Sequence, residues 1–346
     1  MENELKTTNK AVGFIKQHAV LLFAILIGAL AYICFAGTAF SYELEDETEV
    51  VLGYVGLIGE LPAAYGAYVY ILLILPGIAV ALFALSLLHR YFGLAGVACM
   101  FAAGLMNVFL AGFASYGLGY SLSFEIYSQL FTSFTLISAS CSLLCVTSSE
   151  RLSVRDISEM GMLIGVAFVL NLLKLFSIGP DGGSVNLQMV PLFVLALRRG
   201  PIKGFVACGI VYGLLTCLTD GYGFASYPFD YLIGFGSTAV IGFFRPLIFV
   251  DESGAFSKLN ASGKLVVAEA FILLSGIAAT LLRMAGSTIS SMVLYEYTFV
   301  AALAYNATYI PLSGLFGIIA LMALYIPLTK IEKRYPVDAV RKIRHE

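Results

Sequence analysis

Long apolar runs dominate the pattern of hydrophobic and polar positions in this chain. Most of them reach about 18 residues, enough to cross a hydrocarbon layer about 30 Å thick as a helix. The runs are continuous rather than alternating, which favours helices over barrel strands. We therefore predict an all-α integral membrane protein with about ten transmembrane helices. The predicted spans are 19–40, 68–88, 92–115, 126–147, 158–177, 187–198, 202–219, 229–245, 264–285 and 298–328.

A polar segment, 146–159, is the clearest interruption of the apolar pattern. It separates four spans with few polar residues from six spans whose connecting loops are rich in Gly, Tyr, Ser and Asp. We predict a four-span membrane module of unknown role over 1–150. A six-helix substrate-binding domain follows over 151–330, and a basic cytoplasmic tail over 331–346.

Composition supports a membrane protein and gives no sign of an enzyme. The 346 residues are 60% hydrophobic and 12% charged, whereas soluble domains carry about 25% charged residues. The net charge of −2 gives no nucleic-acid signal. The six cysteines lie in or at the ends of apolar runs without a neighbouring His, so neither a metal nor a cofactor is expected. The sequence lacks a phosphate-binding loop and the common hydrolase motifs.

The basic residues are distributed asymmetrically across the predicted spans. With the N-terminus inside, all but two of the twenty Lys and Arg residues fall on one side. This positive-inside pattern predicts a multi-pass protein of the cell membrane with both termini in the cytoplasm. The exceptions, Lys174 and Arg283, fall near the opposite face. We expect a binding site there, on the extracellular side.

Several polar side chains are predicted at that same face. Asp230 opens the eighth span, where a costly carboxylate tends to face a cavity, although a helix N-terminus also favours an acid. Arg283 falls in the last turn of the ninth span, where snorkelling to the interface is the alternative. Asn306 lies in the tenth span and needs a hydrogen-bonding partner, which helix–helix contacts could supply. Together these groups suit a small, flat, polar solute, with a cation among the options.

The second half of the chain resembles the thiamine-specific, substrate-binding S component of energy-coupling factor (ECF) transporters. The resemblance covers about residues 155–330 and includes several short stretches in a characteristic order. These stretches are 182–191 (GGSVNLQMVP), 197–201 (LRRGP), 212–215 (YGLL), 230–231 (DY) and 305–309 (YNATY). The resemblance implies a six-helix bundle that binds thiamine or a related small molecule near its outer face, without a cofactor.

The resemblance also implies site residues, carried over position by position. Asp230 and Tyr231 fall where the family places an acidic–Tyr pair against the ligand. Asn306 falls on a binding Asn, and Arg283 falls where a Lys is found. The remaining positions differ from the family's residues: Asn186 replaces a Glu, Ser287 replaces a His, and Tyr295 replaces a Trp.

The family further implies protein partners. Its members bind a membrane T component, which acts with two cytosolic ATPase subunits, through small residues on the first helix of the bundle. Gly161 and Gly165 form a small-xxx-small face at that position, although ordinary internal packing would use the same residues. The lipid bilayer is the remaining partner.

Three functions are compatible with the residues. The first is the substrate-binding subunit of an ECF-type vitamin importer. The alternative is a self-sufficient secondary transporter driven by protons or sodium, with Asp230 and Glu269 as coupling groups. A membrane enzyme is the third, and no nucleophile–base pair or metal set supports it.

Overall fold

The computed structural model of this chain describes most of the residues that the sequence places in membrane spans. Within the described residues, seven helices are long and apolar enough to cross a membrane, which agrees with the predicted all-α membrane class. The described residues are 18–44, 48–118, 122–147, 153–177, 183–220, 226–249, 256, 258–295 and 297–337. The seven helical runs are His18–Ala36, Gly66–Leu85, Arg90–Leu110, Ile126–Val146, Met189–Asp220, Ala261–Leu294 and Phe299–Arg334.

The contacts within the chain divide it into two compact units, Met1–Ser149 and Glu150–Glu346. The first unit combines helices with one small antiparallel sheet of order β2-β1-β3. Its elements are α1 (His18–Ala36), β1 (Phe40–Glu43), β2 (Glu49–Leu52), α2 (Tyr54–Glu60), α3 (Ala63–Leu85), α4 (Arg90–Leu118), β3 (Ser123–Phe124) and α5 (Ile126–Thr147).

An aromatic cluster with one buried amide forms part of the core of the first unit. The ring of Phe35 lies 5.0 Å from Tyr54 and 5.1 Å from Phe131, measured between centroids. The Tyr54 hydroxyl donates to Asn107 Oδ1 at 2.7 Å. Asn107 Nδ2 donates to two hydroxyls and a carbonyl of α5, so this buried amide is fully hydrogen-bonded. We therefore assign Asn107 to helix packing.

The second unit contains the helices that carry the predicted site. The segment Val206–Tyr212 between α7 and α8, and the segment Tyr227–Ile233 before α9, are π-helical. A two-stranded antiparallel ribbon joins α6 to α7. The elements are α6 (Val154–Leu172), β4 (Phe176–Ser177), β5 (Ser184–Val185), α7 (Met189–Phe205), α8 (Gly213–Asp220), α9 (Gly234–Gly236), α10 (Ala239–Phe243), α11 (Arg245–Ile248), α12 (Ala261–Leu294), α13 (Phe299–Ala307) and α14 (Ile310–Arg334).

The predicted spans do not match these helices one for one. The region predicted as one span over 229–245 consists of several short helical segments, and the span predicted over 298–328 is broken between α13 and α14. Pro311 at the start of α14 explains the second break, because proline restricts the preceding residue and cannot donate its own N–H. α12 continues nine residues beyond its predicted end at 285, to Leu294.

The break between the sixth and seventh predicted spans is a kink inside one helical run. Gly200 has φ +80°, a left-handed conformation that glycine adopts without a steric cost. At this kink the backbone of α10 approaches closely: a Cβ added to Gly242 would lie 2.5 Å from the Gly200 carbonyl carbon and the Pro201 nitrogen. The glycines at positions 200 and 242 therefore fix the turn and the crossing of α7 with α10.

Seven charged side chains form a largely buried ion network that connects α6, α7, α11 and α14. A capping box between Ser153 and Asp156 starts α6. The carboxylates of Asp156 and Glu159 on this helix lie beside the basic residues of α7. Glu332 of α14 joins Arg198 of α7 to the arginine of α11. The pairs are Arg198–Glu159, Arg198–Glu332 (3.1 Å), Arg199–Asp156, Arg199–Glu159, Lys203–Asp156 (3.0 Å) and Arg245–Glu332.

Some sequence predictions concern residues outside the described ranges. The three lysines before residue 18 and the tail residues 338–346 lie there, and both groups were used to predict the cytoplasmic termini. Residues 148–152 of the predicted domain boundary also lie there, as do residues 178–182, which include the start of the stretch 182–191.

Candidate functional site

One face of α12 carries most of the candidate site. Arg283, Ser287, Ser290 and Ser291 recur at helical spacing and are all buried. The prediction that Arg283 lies in the last turn of its helix is wrong, because α12 runs on to Leu294. Arg283 is 7% exposed, so it lies within the helix bundle rather than snorkelling to the surface.

Asp230 faces these serines from the π-helical segment Tyr227–Ile233. Ser290 Oγ donates to Asp230 Oδ2 at 2.5 Å, and the Ser287 hydroxyl lies beside the same carboxylate. The contact depends on Gly286: a Cβ there would lie 2.9 Å from the Phe229 carbonyl oxygen. The close approach of the two backbones therefore brings the carboxylate of Asp230 to the hydroxyls of α12.

The guanidinium of Arg283 lies over the ring of Phe235, with Cζ 4.8 Å from the ring centroid. Its charge also interacts with Asp230. The Nε and Nη1 atoms are buried, and no acceptor of the described residues hydrogen-bonds to them. Leaving a buried donor unsatisfied costs about 1–3 kcal/mol, and more for a charged group. The N–H groups on these two nitrogens are therefore suited to acceptor atoms supplied by a ligand.

Two further buried residues lie next to this environment, one directly before α7 and one in the π-helical segment that follows α7. The Tyr212 hydroxyl donates to Gln188 Oε1, and the Tyr212 ring lies 4.9 Å from the Phe235 ring. Gln188 is 4% exposed and Tyr212 is fully buried. Sequence analysis did not include Tyr212, Gln188, Phe235 or Ser290 among the site residues. Tyr212 lies in the stretch 212–215 that carries the family resemblance, which is the signal that could have identified it.

Asn306 is buried and hydrogen-bonded as its position in a span requires. Its Nδ2 donates to Ser291 Oγ at 3.1 Å and to the Ala302 carbonyl at 2.9 Å. Its Oδ1 accepts from the Tyr309 hydroxyl at 2.9 Å. Asn306 thus joins α13 to the polar face of α12.

The structure brings together Asp230, Tyr231, Arg283, Ser287 and Asn306 around this face of α12, with the ring of Tyr231 6.0 Å from that of Phe235. Two other predicted site residues, Asn186 and Tyr295, contact residues outside this group.

Asn186 donates to Asn171 Oδ1 of α6 at 3.0 Å and accepts from the Gln188 backbone N–H at 3.3 Å. Tyr295 follows the end of α12, is 47% exposed, and has its ring beside that of Tyr297. Their binding roles stay predictions.

Gly161 and Gly165 lie on an exposed face of α6. A Cβ at either position would meet no atom within 4 Å, so internal packing does not require glycine there. In the described residues no group of three or more His, Cys, Asp or Glu side chains could hold a metal ion.

Comparisons with known proteins concern the second unit. Residues 157–333 match the thiamine transporter protein family. The thiamine transporter ThiT of Bacillus subtilis (strain 168) is 30% identical over 190 residues, which cover 51% of this chain and 92% of the relative. A solved structure of ThiT from Listeria monocytogenes shares 22% identity, covers 53% of this chain and 95% of its own, and superposes with a TM-score of 0.39. The family resemblance is confirmed, and the chain belongs to the thiamine transporter protein family.

Proposed function

We propose that this chain is the thiamine-binding S component of an ECF-type vitamin importer. Family membership supports a transport role, and the environment of Arg283 supports a binding site. That environment holds a buried guanidinium beside a carboxylate and several hydroxyls, and its Nε and Nη1 find no acceptor among the described residues. This is the observation that carries the proposal, because buried donors without acceptors are rare in proteins unless a ligand or water satisfies them.

The chemistry of the cluster fits a cation with an aromatic, acceptor-rich part. Asp230 supplies the negative charge that attracts a cation, and Arg283 supplies donors for acceptor atoms such as ring nitrogens. Phe235 and Tyr212 add aromatic rings next to the guanidinium, and aromatic rings favour contact with one another. Thiamine combines these features in one molecule. The Arg283 charge stays on the protein because a guanidinium does not lose its proton.

Energy for uptake comes, in this proposal, from a T component and two cytosolic ATPase subunits. The chain contributes the open face of α6 at Gly161 and Gly165, where another helix can approach closely. The binding site then faces the exterior, with both termini in the cytoplasm, as the distribution of Lys and Arg indicates.

Binding by the purified chain is the first test. Titration calorimetry of the detergent-solubilised protein is expected to show thiamine binding without any partner. Asp230→Asn removes the charge that attracts the cation, and we expect binding weaker by about 1–3 kcal/mol. Glu125→Gln is a matched control, because Glu125 accepts from Ser41 in the first unit and lies outside the cluster in sequence and contacts. Unchanged affinity of Asp230→Asn would remove this residue from the site.

Uptake is the second test. Proteoliposomes containing the chain alone should bind thiamine and not accumulate it, whereas addition of the T component and ATPases should give ATP-dependent uptake. Accumulation by the chain alone, abolished by an uncoupler, would instead identify a secondary transporter coupled through protons.

A further inference from the structure

A second carboxylate, that of Asp220, lies beside the proposed site. Asp220 is the last residue of α8 and is exposed, and the segment carrying Asp230 begins seven residues later, at Tyr227. The two carboxylates therefore belong to the same end of the second unit. The Tyr231 hydroxyl donates to Asp220 Oδ2 at 3.2 Å.

Tyr231 connects the exposed carboxylate to the enclosed one. It directly follows Asp230 in the chain, and its hydroxyl contacts Asp220. Cys217, one turn before Asp220 on α8, also lies within electrostatic range of both carboxylates. Asp220 therefore marks the solvent-facing side, and Asp230 the inner side, of one short acidic stretch. The buried guanidinium of Arg283 interacts with Asp230 in this stretch, and two of its nitrogens meet no acceptor within the ranges that the structure describes.

Lys174 places a positive charge near Asp220. It follows the end of α6, is exposed, and interacts electrostatically with the Asp220 carboxylate. Asn171, one turn earlier on α6, lies beside the same carboxylate and accepts from Asn186. Lys174 thus interacts with Asp220, and Arg283 interacts with Asp230, so the two outlying basic residues of the sequence each have a carboxylate nearby.

Position decides what each carboxylate contributes to binding. Charges on the exposed rim of a site change mainly the association rate and its salt dependence, whereas enclosed hydrogen-bonded charges change mainly the dissociation rate. At an ionic strength of about 0.15 M, charges separated by more than about 8 Å are largely screened. Asp220 is exposed and Asp230 is held by Ser290, so the two residues fall into different classes.

We propose that Asp220 is a rim carboxylate that captures a cationic ligand and raises its association rate, and that Lys174 opposes it. This inference rests on the proposed function for the positive charge of the ligand. It assigns Asp220 and Lys174 a role in selectivity for cations. Neither residue is among those implied by the family resemblance, and neither belongs to the polar face of α12.

Stopped-flow fluorescence of thiamine binding to the full-length purified protein tests the proposal. At about 20 mM salt, Asp220→Asn should lower the association rate constant on the order of three- to tenfold and change the dissociation rate constant by less than about twofold. The difference from the unaltered protein should shrink as salt is raised. Asp220→Glu keeps the charge and should restore most of the rate. Lys174→Met should change the association rate in the opposite direction and raise it.

A neutral probe separates electrostatic capture from a structural role. The uncharged 4-amino-5-hydroxymethyl-2-methylpyrimidine fragment should bind the unaltered protein and the Asp220→Asn variant with equal affinity. A reduced rate for both Asp220→Asn and Lys174→Met, or an equal loss of the neutral fragment, would assign these residues to the fold and overturn the proposal. Absence of thiamine binding by the unaltered protein would contradict the proposed function and this inference together. Normal binding with an unchanged association rate in Asp220→Asn contradicts this inference alone.

Discussion

The guanidinium of Arg283 has two buried nitrogens, Nε and Nη1, whose N–H groups meet no acceptor in the described part of the protein. In the ligand-free state this arrangement is unfavourable, because a buried charge loses its hydration without full compensation. Such a group is retained where it contributes to binding, since a ligand can supply the missing acceptors. Removing the charge of Arg283 should therefore raise the stability of the ligand-free protein and lower its affinity for the ligand.

Arg283→Met tests this opposition. We expect thiamine binding to weaken by about 1.5–3 kcal/mol, the range for hydrogen bonds to charged groups. The ligand-free protein should become more stable, since replacing a buried charge by an apolar side chain of similar volume is often stabilising by about 1–4 kcal/mol. Calorimetry and thermal unfolding in detergent measure the two effects. Thr280→Val, one turn earlier on α12, removes a hydroxyl that donates to the Gly276 carbonyl and should leave binding unchanged. A loss of both stability and affinity in Arg283→Met would assign Arg283 to the fold.

The sequence predicted this residue from the distribution of basic residues alone. A basic residue on the less basic side of a membrane protein is unusual, and that rule pointed to Arg283 without any knowledge of its contacts. The same rule did not locate it correctly along the helix, because apolar runs give no sharp helix end. Gln188 and Tyr212 lie in stretches that carry the family resemblance, although neither was predicted as a site residue. Phe235 was missed because it is an ordinary residue of a span until the fold brings it to Arg283.

At the scale of elements, the ion network determines how α6 attaches to the rest of the second unit. The predicted spans 187–198 and 202–219 placed Arg198, Arg199 and Lys203 at or next to the turn between two membrane helices. The structure places all three in the kinked helix α7, almost fully buried against carboxylates. The carboxylate partners lie about 40 to 134 residues away along the chain, so no local pattern could have revealed the pairs.

Glu332→Gln tests the network. Glu332 accepts from Arg198, Arg245 and the Val337 backbone N–H. Removing its charge leaves two buried guanidinium groups with less compensation, and breaking a buried pair in this way typically costs about 3–5 kcal/mol. We expect a lower thermal unfolding temperature, measured by circular dichroism in detergent. Glu269→Gln removes a half-buried carboxylate of α12 that belongs to none of these ion pairs, and should cost less, about 1 kcal/mol. Equal stability of the two variants would show that the network is dispensable.

The crossing of α7 with α10 gives a second test at this scale. Gly242→Ala places a methyl group against the backbone at the α7 kink, which cannot move aside as a side chain does. Overpacking of this kind costs about 1–3 kcal/mol. Gly165→Ala is the matched control: its methyl group meets no atom within 4 Å. In a helix interior it should add up to about 1 kcal/mol of stability. The thermal unfolding temperatures of the two variants should therefore shift in opposite directions from that of the unaltered protein. A Gly242→Ala protein as stable as the unaltered one would contradict the close crossing.

At the scale of the whole molecule, the residues proposed to bind the ligand all belong to the unit Glu150–Glu346. The family match, residues 157–333, also lies entirely within it. The first unit has its own aromatic core and its own hydrogen-bonded amide, Asn107. The polar segment 146–159 predicted a domain boundary from composition alone. Nothing in the sequence indicated the function of the four predicted spans that precede it.

Deletion of residues 1–150 tests whether the two units are separable. We expect the remaining protein to fold in detergent and to bind thiamine with a dissociation constant within about threefold of the full-length value, because about 0.65 kcal/mol corresponds to a threefold change in affinity. The Asp230→Asn change should weaken binding equally in the truncated and full-length proteins, since energies at independent sites add. Calorimetry and thermal unfolding of the four proteins give these values. If the truncated protein keeps its helical circular dichroism but loses thiamine binding, the first unit contributes to the site. Both units then act as one binding protein rather than as two modules.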